Sequence, residues 1–91
     1  MSKIYKRNPD FVYRDIAGES VLVPIRNKAG DMENIYVLNE VASRAWGLFD
    51  GKNSAAKVLD VIAREFDVEI DKARADLKDF ISQCLLLGFI S

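Results

Sequence analysis

The sequence predicts an α+β domain in which a small three-stranded antiparallel sheet is followed by three helices. The spacing of apolar residues changes once, near residue 39, from the alternation typical of strands to the steps of three and four typical of helices. The chain has 91 residues, of which 49% are hydrophobic and 30% charged. This is the length and composition of one globular domain, so we expect residues 1–91 to form a single unit.

The first two strands are expected to form a hairpin. Residues 11–16 alternate between apolar and polar side chains and predict the first strand. Residues 17–19 (AGE) predict a tight turn, and residues 21–25 predict the second strand. Pro24 has no N–H to donate, so we expect the second strand to end or to bulge there.

The third strand is the most informative element of the sequence. A polar connection of residues 26–34 leads into it, and residues 35–38 (IYVL) are all apolar. In a three-stranded meander this strand lies at an edge, and it lacks the lysine, proline or inward charge that usually protects an edge. Three explanations stay open: the chain's own helices cover it, a second copy pairs with it, or it receives a peptide strand from a partner.

The helices are predicted from their ends as well as from their periodicity. Asn39 and Ser54 are good N-cap residues for the first and second helices. The first helix is expected to stop at Asp50, with Gly51 in the left-handed position that follows a helix. The third helix is expected to begin near Asp71 and to end at Gly88, so that three helices follow the sheet with short connections.

Charge and composition exclude several functions. There are 13 Lys and Arg against 14 Asp and Glu, a formal net charge of -1, which is a poor basis for binding a phosphate backbone. No apolar run approaches the about 18 residues of a membrane-spanning helix, and the N-terminus does not have the pattern of a secretory signal. Histidine is absent and Cys84 is the only cysteine, which argues against zinc sites and the common catalytic triads and fits a reducing, cytoplasmic location. We therefore expect no enzymatic activity, metal or cofactor.

Three features have an ordinary structural interpretation beside a functional one. Trp46 lies on the apolar stripe of the first helix, so it is expected to anchor the core rather than to form an exposed contact. Cys84 is expected to be a buried, unreactive thiol. The basic residues Lys3, Lys6 and Arg7 are interpreted as a frayed, solvated terminus, with a small patch for an anionic partner as the alternative.

An ordered set of residues resembles the PqqD-like family, which is named after pyrroloquinoline quinone synthesis protein D. Leu38-Asn39, Ala42, Ala45-Trp46, Leu48 and Asp50-Gly51 are similar to its "LN-x-x-A…W-x-L-x-x-G" run, and the similarity continues to the closing Leu87-Gly88-Phe89-Ile90. The resemblance implies a winged helix-turn-helix-like fold. It also implies a non-catalytic peptide chaperone that recognises the leader of a ribosomally made precursor. Such a chaperone presents the precursor to a modifying enzyme, often a radical S-adenosylmethionine enzyme, as in the synthesis of pyrroloquinoline quinone.

The same resemblance implies a binding site. The leader would add as a strand beside the third strand and lie in a groove against the third helix, with basic side chains available for leader carboxylates. Carried onto this chain, the strand platform is Ile35, Tyr36, Val37 and Leu38, and the helix side is Lys72, Ala73, Arg74, Leu77 and Phe80. The connection of residues 26–34 is longer than the turn of the namesake proteins, which leaves open the particular pathway and peptide.

Two other functions compete with leader binding. A winged-helix topology would also suit a nucleic-acid-binding protein, but Asp76 and Asp79 on the third helix would repel phosphates. A dimerisation module, in which the open edge pairs with that of a second copy, is the other alternative, and a homodimer is compatible with leader binding.

Overall fold

The computed structural model describes residues 1–25 and 36–91, which contain five strands and three helices. The strands are β1 (Ile4–Lys6), β2 (Phe11–Ile16), β3 (Glu19–Pro24), β4 (Tyr36–Leu38) and β5 (Asp50–Ser54). The helices are α1 (Glu40–Leu48), α2 (Ala55–Glu65) and α3 (Ile70–Leu86). The expected connection of residues 26–34 and Ile35, the first residue of the expected third strand, lie outside the described residues.

The main sheet contains β2, β3 and β4 in that order, and both neighbouring pairs are antiparallel. The predicted α+β class and the three-stranded meander are therefore confirmed. β2 and β3 are joined by Ala17 and Gly18, which both have positive φ angles, 53° and 82°. This is the geometry of a type I′ turn, which matches the twist of a hairpin. Because the turn is so short, pairing begins at Glu19, earlier than predicted, and β3 ends at Pro24 as expected.

The N-cap predictions for the first two helices are confirmed. The Asn39 side chain accepts a hydrogen bond from the Ala42 N–H at 2.8 Å, and the Ser54 hydroxyl accepts one from the Lys57 N–H at 3.2 Å. Each bond satisfies an N–H that would otherwise have no partner in the first turn. The third helix begins one residue before its predicted start, and Gly88, with φ at 77°, follows its end.

The predicted end of the first helix is wrong by two residues. α1 ends at Leu48, and Gly51 has the expected positive φ of 80° but lies within β5. The Asp50 carboxylate accepts hydrogen bonds from the backbone N–H groups of Lys52 and Asn53 at 2.9 and 3.0 Å. The chain therefore turns at Gly51 as part of a strand, not as a helix cap.

The interpretation of the N-terminus as a frayed end is also wrong. β1 pairs with β5 to form a second, two-stranded sheet. Lys6 exchanges two backbone hydrogen bonds with Ser91, both at 2.9 Å, so the two ends of the chain are tied together. The Arg7 guanidinium donates to the carbonyl oxygen of Gly47 at 2.7 Å, at the C-terminal end of α1, where a positive charge is favoured.

The core lies between the main sheet and the helices. Leu22, Phe49 and Val58 are fully buried, and Trp46 is buried beside them, which confirms it as a core residue. Cys84 is buried as expected, and burial raises the pKa of its thiol to about 12, which disfavours the reactive thiolate. No helix within residues 1–25 and 36–91 is long and apolar enough to cross a membrane.

Candidate functional site

A groove of about 550 Å³ runs between β4 and α3, with α1 at its base. Its lining comes from β4, the three helices and the segments that join them. The lining residues are Tyr36, Val37, Asn39, Val41, Ala42, Ala45, Ile62, Val68, Lys72, Ala73, Asp76, Leu77, Asp79, Phe80 and Gln83. β4 and α1, which are neighbours in the sequence, therefore meet α2 and α3 along one edge of the main sheet.

The direction of the backbone polar groups in the sheet follows from the hairpin. In an antiparallel ladder, hydrogen-bonded and non-hydrogen-bonded residue pairs alternate, and the N–H and C=O of one residue point to the same side. The two-residue turn makes Ile16 and Glu19 a hydrogen-bonded pair. Alternate residues of β3, starting at Glu19, therefore face β2, and the residues between them, Ser20 and Leu22, face β4.

Phe11 supports this alternation independently. Its N–H donates to the carbonyl oxygen of Asn8 at 3.1 Å and not to its cross-strand partner Pro24. The Phe11–Pro24 pair is therefore non-hydrogen-bonded, as the alternation counted from the turn requires.

Val37 is the residue of β4 whose backbone faces away from the sheet. Leu38 pairs with Ser20 and Tyr36 pairs with Leu22, so Tyr36 and Leu38 direct their N–H and C=O groups toward β3. Val37 lies between them and directs both groups outward, on the side that has no strand among the described residues. The Val37 side chain is 57% exposed. This edge of the sheet therefore offers one donor and one acceptor next to the groove.

The base of the groove is apolar and well supported. Ala45, Ile62, Ala73 and Leu77 are buried, so they are fixed by the core while one side of each contributes to the groove. Phe80 is half-buried and stacks on the core residue Phe49, with ring centroids 6.3 Å apart. Small alanine side chains on both helices leave room that larger side chains would fill. A concave apolar surface beside a few polar groups is the usual form of a binding site.

The rim of the groove is polar. The Tyr36 hydroxyl donates to Oε1 of Gln83 and links β4 to α3 at one end of the groove. Lys72 forms an ion pair with Asp76, with Nζ and Oδ2 separated by 3.2 Å, and Asp79 lies one helical turn further along α3. Within the described parts of the chain, no cluster of three or more potential metal ligands is present.

The structure brings most of the expected site residues together. Tyr36, Val37, Lys72, Ala73, Leu77 and Phe80 line the groove. Leu38 does not line the groove: its side chain is buried in the core and its backbone N–H and C=O face β3. Arg74 does not line it either, because it lies on the other side of α3, where it pairs with Asp71 at 2.9 Å.

Sequence reasoning missed the contribution of α1 and α2 to the groove. Val41, Ala42 and Ala45 come from α1, and Ile62 comes from α2. The periodicity placed Ala42 and Ala45 on the inward face of the first helix. It gave no sign that this face is only partly covered, because an apolar stripe predicts burial but not its partner.

The fold and the groove define a class of small α+β domains in which an open sheet edge lies beside an apolar groove. The family model of Coenzyme PQQ synthesis protein D (PqqD) matches residues 19–90. Since this match covers most of the sequence, the chain belongs to the PqqD family, as the resemblance predicted.

A solved structure shows the same fold. TbiB1 in complex with the TbiA(beta) leader peptide superposes with a TM-score of 0.74 over 94% of this chain and 94% of that chain, at 23% sequence identity. A comparison with curated proteins gives no match.

Proposed function

We propose that this domain is a non-catalytic recognition protein that binds the leader segment of a ribosomally made precursor peptide. The leader adds as a strand to β4, and its side chains enter the groove against α3. The observation that carries the proposal is the outward N–H and C=O of Val37 beside an apolar groove. Backbone hydrogen bonds along an edge give affinity, and pockets for alternate side chains give specificity.

Two comparisons support this function. Membership of the PqqD family links the chain to a family named for the synthesis of a cofactor. The structural neighbour TbiB1 is bound to a leader peptide, and its fold covers nearly the whole of this chain. The partner of the domain is then a precursor peptide, followed by a peptide-modifying enzyme to which the precursor is presented.

The resemblance also suggests the wider setting. A radical S-adenosylmethionine enzyme is the proposed modifying enzyme, with pyrroloquinoline quinone synthesis or the synthesis of another modified peptide as the pathway, in the cytoplasm. An open apolar edge also favours self-pairing, so a homodimer formed through β4 is the second candidate. The peptide would then compete with the second copy for the same edge.

An amide NMR titration tests the proposal directly. The isotope-labelled domain is titrated with a synthetic leader from the precursor gene nearest to its own gene, and a random-sequence DNA duplex serves as the control. We expect saturable shifts at Val37 and along the face formed by Lys72, Leu77 and Phe80, and none with DNA. Shifts on α3 with DNA, or no shifts with millimolar leader, would contradict the proposal.

The hydrodynamic radius, measured in parallel, separates the two candidates. A radius that grows with protein concentration and falls when the leader is added shows self-pairing through the peptide edge. A concentration-dependent radius that the leader does not change, with no peptide shifts, would favour a dimerisation module alone.

A further inference from the structure

The charges at the groove differ from those expected for an acidic leader. Among the described residues, the charged side chains that line the groove are those of Lys72, Asp76 and Asp79, so carboxylates outnumber cations in this part of the chain. The other cation expected to receive leader carboxylates, Arg74, lies outside the groove and pairs with Asp71. The rim therefore presents a negative surface to a peptide that lies along β4.

The lysine of the rim already has an ion-pair partner. Lys72 Nζ lies 3.2 Å from Asp76 Oδ2, one helical turn away on α3. Their side chains are 71% and 60% exposed, so this is a surface pair that contributes little stability and can be rearranged. Asp79 makes no ion pair among the described residues. A carboxylate brought into this groove would meet Asp79, and no unpaired cation among residues 1–25 and 36–91 lines the groove to compensate it.

The spacing of the carboxylates suits a single long basic side chain. Asp76 and Asp79 are three residues apart on α3, so their Cα atoms are separated by about 4.5 Å along the helix axis. Asp76 directly precedes Leu77 and Asp79 directly precedes Phe80, and these two apolar residues form the apolar side of the groove. In an added strand, successive side chains alternate in direction and same-side neighbours are about 6.4–6.8 Å apart. An apolar side chain on the groove base and a basic side chain over the rim can therefore come from the same short segment.

From this arrangement we propose that the peptide bound at β4 carries a lysine or arginine that lies against Asp79 and Asp76, next to its apolar anchor residues. This inference rests on the proposed function, since it concerns the charge of the strand that β4 receives. The peptide class is thus basic-apolar at the groove, rather than acidic-apolar. Charge complementarity of this kind favours the correct partner and disfavours peptides with carboxylates at the same place.

The test is selection from a phage-displayed library of random peptides on the immobilised full-length domain. Parallel selections use Asp79→Asn, Asp79→Lys and, as the matched control, Asp71→Asn, which removes a carboxylate of α3 outside the groove. We expect lysine or arginine to be enriched beside apolar residues with the wild type and Asp71→Asn. The enrichment should weaken with Asp79→Asn and change to aspartate or glutamate with Asp79→Lys. Affinities of the selected basic peptides should fall about two- to fivefold in Asp79→Asn.

The failure of this inference can be distinguished from failure of the proposed function. Selected peptides whose binding is abolished by Val37→Pro, but which carry no basic bias or an acidic one, would overturn the charge inference and leave strand addition intact. Selected peptides that bind Val37→Pro as well as the wild type would overturn strand addition itself, and with it the inference.

Discussion

The two outer strands of the main sheet both leave a ladder edge open, but their side chains differ. In the part of the chain that the structure describes, β2 and β4 each pair only with β3. β2 carries Arg14 and Asp15 at exposed positions, whereas the three residues of β4 include no charge. Charged side chains on an edge strand discourage further pairing. Under the proposed function, an open backbone edge is not what distinguishes the two strands, since both have one, and the uncharged side chains of β4 are what favour the addition of another strand there.

The clefts beside the two edges also differ in how apolar their linings are. A cleft of about 600 Å³ lies beside β2, so it is as large as the groove beside β4. Of its lining residues only Trp46 is buried, and the Arg7 guanidinium on its wall is occupied by the carbonyl oxygens of Trp46 and Gly47. The groove beside β4 has a broader buried apolar base. Volume therefore does not distinguish the two sites, but composition does.

The largest effect expected is from proline at the two edges. Val37→Pro and Tyr13→Pro each remove an N–H that points away from the sheet, at β4 and at β2 respectively. We expect Val37→Pro to weaken leader binding at least about tenfold, which corresponds to about 1.4 kcal/mol. The bound strand loses a donor and meets the proline ring. Fluorescence anisotropy with a labelled leader measures the affinities, and circular dichroism checks the fold.

Tyr13→Pro is the matched control, and its leader affinity should equal that of the wild type. Unchanged affinity in a folded Val37→Pro variant would show that the peptide does not pair with β4. Loss of affinity in Tyr13→Pro alone would move the binding site to the other edge.

Filling the groove should have the next largest effect. Ala42→Leu adds a larger side chain at the base of the groove, whereas Ala75→Leu adds the same side chain at an exposed position of α3 outside it. Leucine suits both helices. We expect Ala42→Leu to weaken leader binding about three- to tenfold, since the leader loses part of the about 1.5–3 kcal/mol that burying one apolar side chain contributes. Isothermal titration calorimetry checks this, and equal affinities for both variants would exclude the groove as the side-chain site.

Removing one hydroxyl at each edge should have a smaller effect. Tyr36→Phe breaks the link to Gln83 at the end of the groove, and Tyr13→Phe breaks the 2.8 Å hydrogen bond to Ser20. Both bonds are exposed, so each should cost about 0.5–1 kcal/mol of unfolding free energy in urea. Only Tyr36→Phe should change leader affinity, by about two- to threefold. An equal change in the Tyr13 variant would mean that the effect is on global stability.

The three strands of the main sheet and the three helices could be predicted in order from the sequence, because local chemistry determines them. The alternation in residues 11–16, the turn at Gly18 and the caps Asn39 and Ser54 all depend on near neighbours. The second sheet could not be predicted in this way. β5 (DGKNS) has no apolar residue, and its pairing with β1 depends on how the tertiary structure places the two strands.

The candidate site was predicted where it depends on a single element. The edge position of β4 followed from its place at the end of a meander, and the family resemblance placed Lys72, Ala73, Leu77 and Phe80 on the groove side of α3. Arg74 follows Ala73 directly, and one residue on a helix is a rotation of about 100°. It therefore lies on the opposite side of the apolar stripe from Lys72. Which of these two sides lines the groove depends on how α3 packs against β4, and the sequence of α3 does not determine this.

The smallest effect expected concerns α1, which stands between the two clefts. Arg44 holds it to α2 through two hydrogen bonds to the Glu65 carboxylate, at 2.7 and 2.9 Å. The bond from Arg44 holds the pKa of Glu65 below its ordinary value of 4.5. A carboxylate with a lowered pKa in the folded state stabilises the protein above the unfolded pKa, and this contribution is lost as the pH falls through the folded pKa.

Glu65→Gln should therefore lower the melting temperature slightly at about pH 7, and the difference from the wild type should disappear toward about pH 3. The effect is small because the side chains are 45% and 43% exposed and are therefore screened by solvent. Thermal melts across this range measure it, with the exposed Glu19→Gln as the control. A difference that stays constant with pH would mean that the Glu65 charge is not what stabilises the contact. The position of α1 between the clefts would then depend on apolar packing alone.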